Sequence, residues 1–285
     1  MNAKKYSSPY DFRKALDTRL KERASSSDLP LDHLRKQVTF DRFLARLDFN
    51  RYRLKGGYSL ELRLPQTVRT LDIDLAVRDK KFLLTDRQAQ QKEIFDDLSS
   101  LATIDKSDFF EFKIERMLAP LPDTQEGGYR YLVSAKIDGR IYQEFHVDVA
   151  VESTELLPPD HIHSTNILSF AGIEAVDISA TTKEEVFAEK LHAYVRTRQS
   201  ENSRVKDLID MAALIETGLD QDKITKAISA TFENSNTYKI VPAELPTPPK
   251  SWDNTFAKIA EERGLKISLK EAHDRVSRFY NNIKQ

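Results

Sequence analysis

The chain has 285 residues, with 44 basic and 45 acidic side chains, a formal charge of −1 and no cysteine. That length suits one large or two medium domains, and the missing cysteine excludes disulfides, thiolate metal sites and a cysteine nucleophile. The balanced charge excludes a strongly basic nucleic-acid binder, so a phosphate-rich partner must meet a local patch.

No apolar window approaches the ~18 residues of a membrane span, and the N-terminus has no signal-like apolar core. A soluble, cytoplasmic protein with no membrane partner is expected. The first ~24 residues read as one polar helix, broken by "SSSDLP". A second helix follows in "DHLRKQVTFDRFLARLDF", with Asp32 as candidate cap and Leu34, Val38, Leu44 and Leu47 near one face. Residues 51–55 are expected as a short strand entering the glycine pair Gly56–Gly57. Ser59 opens a brief helix that stops where Pro65 removes the next donor.

"LDIDLAV" then reads as a strand. Side chains two apart share a face, so Asp72 and Asp74 project together while Leu71, Ile73 and Leu75 fill the core side. "LTDRQAQQKEIFDDLSSLA" reads as a helix, and "FFEFKIERM", "YRYLVSAKI" and "IYQEFHVDVAV" as strands separated by the turn signals "EGG" and "DGR". The remainder is helical: "TKEEVFAEKLHAYVRTR", "SRVKDLIDMAALIET" and "QDKITKAISATFEN", then a proline-rich "VPAELPTPPKSW" and the closing "DNTFAKIAEERG" and "LKEAHDRVSRFYNNIKQ". The expected class is α+β with a mixed sheet. Residues 1–50 form N-terminal helices packing on the core, 51–179 a sheet domain and 180–285 a C-terminal helical domain.

Two carboxylates ~7 Å apart on a strand suit a hard divalent cation, and two like charges on one patch are costly without one. An isolated D-x-D is also a common solvent-facing pair. The upstream turn adds to it: glycines permit close approach of a ligand, and a serine opening a helix offers a hydroxyl and free N–H groups to an anion. It is not a Walker loop, because that spacing is absent. On "EFHVDVAV", His146 and Asp148 share a face, and Asp148 is a candidate third acid for a metal site or for accepting a hydroxyl proton.

The strand–G-G-x-S unit, twelve further residues, D-h-D on a strand and h-D-h on a later strand resemble the DNA polymerase β-like nucleotidyltransferase superfamily. "LKGGYSL", "RTLDIDL", "FAEKLHAYVRTR", "SRVKDLIDMAAL" and "PAELPTPPKSW" together resemble the AbiEii/MenT family of toxin nucleotidyltransferases. The resemblance implies a polymerase β-like core in the sheet domain. It assigns Gly56, Gly57 and Ser59 to phosphate binding, with Lys55 and Arg69 in the nucleotide-binding set, and Asp72 and Asp74 to the metal. Lys190 would contact the triphosphate. Asp207 would be the last catalytic carboxylate, although Asp210 shares its helical face. Whether Asp148 or Asp207 acts as general base stays open.

The resemblance also implies Mg²⁺, an NTP (a pyrimidine nucleotide by preference) and the 3′ end of tRNA as acceptor, with a block in translation. A cognate antitoxin and a part in abortive infection or phage defence follow from it too. Rival readings are nucleotidylation of a protein or small molecule, and a nucleotide-binding regulator without turnover. Tyr58 puts a bulky side chain where the family often has a small one. Arg69 would pair with a phosphate or with a neighbouring carboxylate. Phosphorylation of Thr70 or Ser59 would set negative charge beside the acids, a means of regulation. His161 and His163 are read as surface loop residues. The basic set Arg196, Arg198, Arg204 and Lys206 is read either as an RNA-phosphate patch or as solvated helix ends, and Trp252 and Tyr280 as packing residues.

Overall fold

A computed structural model describes residues 6–27, 29–64, 69–121, 124, 126–153, 156–197, 201–235 and 238–283. Pro65 and Arg198 lie outside the described residues. The chain divides into two units. Unit 1 comprises Met1–Leu62, Thr70–Ser153 and His161–Ala180, and unit 2 comprises Arg63–Arg69, Thr154–Asp160 and Thr181–Gln285.

Unit 1 is built on a mixed sheet. Its strands among the described residues are β1 (Tyr52–Lys55), β2 (Asp72–Val77), β3 (Glu111–Pro120), β4 (Gly128–Ile137), β5 (Arg140–Val151), β6 (Asp160–His163) and β7 (Asp177–Ala180). They lie in the order β3-β4-β5-β2-β1-β7-β6. β3, β4 and β5 form an antiparallel meander; β5 pairs parallel with β2, β2 antiparallel with β1, and β1 parallel with β7. The β4–β5 turn is a two-residue hairpin in which Asp138 and Gly139 have φ of 58° and 66°. Positive φ at both positions matches the right-handed strand twist, which is why "DG" sits there. The "EGG" connection is longer than a hairpin turn, since residues 121–127 separate β3 from β4.

Three helices cover this sheet's core. α1 (Pro9–Ser25) is capped by Ser8, whose hydroxyl accepts from the Asp11 N–H, and buries Phe12, Leu16 and Leu20. α2 (Leu31–Leu44) starts after Pro30, so Asp32 is not its cap; that carboxylate sits in the first turn, accepts from Gln143 and pairs with Lys36. α4 (Arg87–Ala102) is capped by Asp86, which accepts from the N–H groups of Gln88 and Ala89. Phe43 of α2 packs edge-on against Phe112 and Phe145, joining helix to sheet. Beside them Asp108, fully buried, receives Arg42 Nε at 2.6 Å and Arg46 Nη2 at 2.8 Å. A buried carboxylate with several guanidinium donors is satisfied, whereas losing one partner would strand a charge.

Unit 2 is helical: α5 (Lys183–Val195), α6 (Val205–Glu216), α7 (Gln221–Glu233), α8 (Trp252–Glu262) and α9 (Leu269–Asn282). Capping boxes, Thr182 with Glu185 and Ser268 with Glu271, start α5 and α9. Trp252 and Tyr280 are buried, and each donates to a backbone carbonyl, Trp252 Nε1 to Asn202 and the Tyr280 hydroxyl to Pro242. Both are packing residues. His161 and His163 are exposed as expected, but they stand on strand β6 rather than in a loop.

Candidate active site

The register of β2, β5 and β4 gathers an acidic face. Asp72 lies beside His146 and Asp74 beside Asp148 across the parallel β2–β5 ladder, while Arg130 of β4 lies opposite Asp148. Arg130 grips Asp148 with two bonds of 2.7 Å, one to each carboxylate oxygen, and its Nη2 is 3.9 Å from Asp72 Oδ2. His146 Nδ1 is 3.3 Å from Asp72 Oδ1. Burial, and then the neighbouring charge of Asp148, push the Asp74 carboxyl up to about 6 against the opposing pull of the Gly57 N–H and Lys55. Ile73 and Leu75 fill the other face as expected. Leu71 does not: it precedes the first strand residue and is 62% exposed.

The glycine turn is shaped by these acids. Gly56 adopts φ +62°, and a Cβ there would lie 2.0 Å from Asp74 Oδ2. The Gly57 N–H donates to that same oxygen at 3.2 Å, and a Cβ on Gly57 would lie 2.6 Å from Thr70 Oγ1. Helix α3 (Gly56–Arg63) therefore begins at the first glycine. Ser59 sits one turn inside it and does not open it; the buried hydroxyl donates to the Gly56 carbonyl at 3.0 Å. Tyr58 turns away from the site. Its ring is buried and its hydroxyl donates to Asp41 Oδ1 at 2.6 Å and to the Gln37 carbonyl at 3.2 Å, tying the turn to α2.

Glu61, which belongs to none of the sequence motifs, anchors the far end of this unit. It is 1% exposed, accepts from Gln37 at 2.7 Å, lies 2.8 Å from His33 Nε2, and receives the Thr70 N–H at 2.8 Å. Thr70 is thereby held just ahead of Asp72. Lys55, opposite Asp74 across the β1–β2 ladder, reaches Glu152 at 2.8 Å, which Arg78 also holds at 2.7 Å. Arg69 is half-buried.

In unit 2 the expected face of α6 is present. Lys190 Nζ is 3.1 Å from Asp207 Oδ1 and 2.7 Å from Asp210 Oδ2, and Asp210 Oδ1 takes Arg263 at 2.6 Å. Burial alone would lower the lysine's pKa, but the charges of Asp210 and Asp207 outweigh it and hold the ammonium above the usual lysine range. Asp210 thus ties α6 to Lys190 of α5 and to Arg263 at the end of α8. Asp207 keeps its Oδ2 buried without a hydrogen bond, and Arg204 Nη1 stands 3.7 Å from it. Asp210→Ala is expected to lower stability by roughly 3–5 kcal/mol, because two buried cations lose a shared carboxylate. Asp207→Ala should cost less than half of that, and chemical denaturation measures both.

Residues 40–276 match the family described as nucleotidyl transferase AbiEii toxin, type IV TA system. The chain belongs to this family. It is a toxin nucleotidyltransferase of a type IV toxin–antitoxin family, which makes it a transferase, with nucleoside triphosphates as the substrate class and an antitoxin as the implied partner. Among solved structures, MenT4, a nucleotidyltransferase toxin from Mycobacterium tuberculosis H37Rv, superposes with a TM-score of 0.53 at 16% identity, covering 95% of this chain and 97% of that one. That likeness shows a shared α+β fold. JHP933 from Helicobacter pylori gives a TM-score of 0.43 at 13% identity over 89% of this chain and 90% of that one. No curated protein sequence matches the chain. No helix among the described residues is long and apolar enough to cross a membrane.

The AbiEii family ordinarily uses a divalent metal, and the donor chemistry here fits one. Asp72 and Asp74 supply oxygen donors on one strand face, and the Asp74 carboxyl is raised first by burial and then by the charge of Asp148, a charge that a hard cation would offset. Among the described residues, no three His, Asp or Glu side chains are arranged to hold a metal ion by themselves.

Proposed function

We propose that this AbiEii-family enzyme transfers a nucleoside monophosphate from an NTP, with Mg²⁺, to the 3′ end of tRNA and so blocks translation. The observation that supports it most is the fit of the glycine turn onto Asp74, which sets a side-chain-free turn directly against paired acids. In this reading Gly56 and Gly57, which carry no side chains, let the phosphates approach the turn closely, while the Gly57 N–H stays with Asp74. Asp72 and Asp74 would hold Mg²⁺, which supplies charge neutralisation at the phosphorus under attack. Asp148 is proposed to take the proton from the acceptor hydroxyl; by family likeness Asp207 is the alternative base, and Lys190 and Arg69 are proposed as triphosphate contacts.

Lys55 serves this reading indirectly, since its contact with Glu152 fixes the strand that delivers Gly56. Arg196, Arg204 and Lys206 are proposed as contacts for tRNA phosphates. We infer a cytoplasmic site of action, a pyrimidine donor and a part in phage defence by abortive infection, from the family likeness. Of the two hydroxyls proposed for regulatory phosphorylation, Thr70 is half-buried and Ser59 is buried, so Thr70 is the more accessible.

The test is incubation of the protein with total tRNA and each labelled NTP in turn, with and without chelator. The expected result is metal-dependent label on tRNA, strongest with CTP or UTP, that is removed by RNase. Label that follows a protein band and survives RNase would overturn the acceptor. No label in any combination would overturn the activity.

A further inference from the structure

The cations on the sheet face of unit 1 are not equivalent. Lys55 and Arg78 share Glu152, an acid outside the Asp72–Asp74–Asp148 set. Arg130 instead commits its fork to that set: Nε and Nη2 each reach one oxygen of Asp148 at 2.7 Å, and Nη2 also lies 3.9 Å from Asp72. With both oxygens accepting from the guanidinium, Asp148 has its best acceptor directions filled. In this arrangement it is poorly placed to ligate a cation or to take a proton from a hydroxyl. Yet the arginine head is not locked in, because its side chain is 38% exposed while that of Asp148 is 12% exposed. The solvent-facing guanidinium can therefore exchange partners, and its fork fits a phosphate as well as a carboxylate.

We propose that Arg130 is a nucleotide-responsive latch: it occupies Asp148 in the empty enzyme and transfers its fork to the phosphates of the incoming nucleotide, freeing Asp148 to serve the cation site. This rests on the nucleotidyl-transfer reading above and adds to it an order of events. Arg130 is a competitor of the cation and a ligand of the nucleotide, so removing it must move the two affinities in opposite directions.

The experiment uses the full chain and two titrations by calorimetry: Mn²⁺ without nucleotide, and each of the four NTPs in chelator without metal. Arg130→Gln is expected to tighten Mn²⁺ about tenfold and to weaken metal-free NTP about tenfold, the loss of one bidentate pair. Arg130→Lys keeps the charge but loses the fork, so the same signs are expected at about threefold; it serves as the reporter if Arg130→Gln does not fold. Affinities that move together, or do not move, overturn the latch while leaving a wild-type protein that binds NTP as a nucleotidyltransferase. A wild-type protein that binds no NTP even with Mn²⁺ overturns the transfer reading, and the latch with it.

Discussion

Gly56→Ala is expected to lower nucleotidyl transfer at least about 100-fold, because it displaces Asp74, the acid proposed for the reacting centre, by an ångström or more. Two separate costs meet at this position. The backbone φ of +62° disfavours any Cβ, at about 1–2 kcal/mol for an L residue. The added methyl would also lie 2.0 Å from Asp74 Oδ2, 2.5 Å from its Cγ and 2.8 Å from its Cβ. A clash with the carboxylate tip alone would be relieved by rotation. A clash that reaches Asp74 Cβ cannot be, since the β2 backbone fixes that atom, so the turn and the strand must separate. Gly139→Ala isolates the first cost: φ is +66° and nothing lies within 4 Å of the place an added methyl would take. That variant should lose about 1 kcal/mol in denaturant unfolding with transfer unchanged. If Gly56→Ala behaves like Gly139→Ala, the close seat of Asp74 on the turn has no functional weight.

Much of this site could be read in one dimension because its parts are local. Asp72 and Asp74 share a face by strand periodicity, and Asp207 and Asp210 by helical spacing, so each pair follows from counting residues. Arg130 could not be read that way. A perfect hairpin closed by Asp138–Gly139 would set Arg130 opposite Val147, whose side chain enters the core. The register shift between Ala135 and Lys136 moves the pairing by one residue, and Arg130 meets Asp148 instead. A one-residue slip exchanges the faces of a strand, and no local pattern announces it here.

Other differences have similar causes. Ser59 has the residue type of a helix start, but the positive φ of Gly56 lets α3 begin three residues earlier and buries the serine. Leu71 continues the apolar alternation of the sequence, yet pairing with β5 begins only at Asp72, and its side chain stays exposed. Strands β6 and β7 span four residues each, too few to show a period. Glu61 resembles any helix-surface acid until its partners, His33 and Gln37 of α2 and the Thr70 N–H, are seen around it.

Asp74→Asn is expected to separate stability from activity. The folded-state carboxyl titrates near 6, above the ordinary 3.8, so the folded protein holds this proton more tightly than the unfolded chain. The sign follows: the stability that the neutral form contributes is present below about pH 4 and is lost as pH rises through 6. At pH 8 the wild-type protein therefore carries a half-buried charge facing Asp148 and Asp72, and the amide does not. An asparagine keeps an oxygen for the Gly57 N–H. Without added metal the variant should be about 1–2 kcal/mol more stable than wild type at pH 8 and equal to it near pH 4. Chemical denaturation at the two pH values measures that difference. Transfer should fall at least about 1000-fold, since a neutral amide neither neutralises nor fixes a divalent cation beside the phosphates. Added Mn²⁺ should raise the wild-type unfolding temperature and leave that of the variant nearly unchanged. A variant that gains stability and still transfers within tenfold of wild type would remove Asp74 from the metal site and leave it as the seat of the glycine turn.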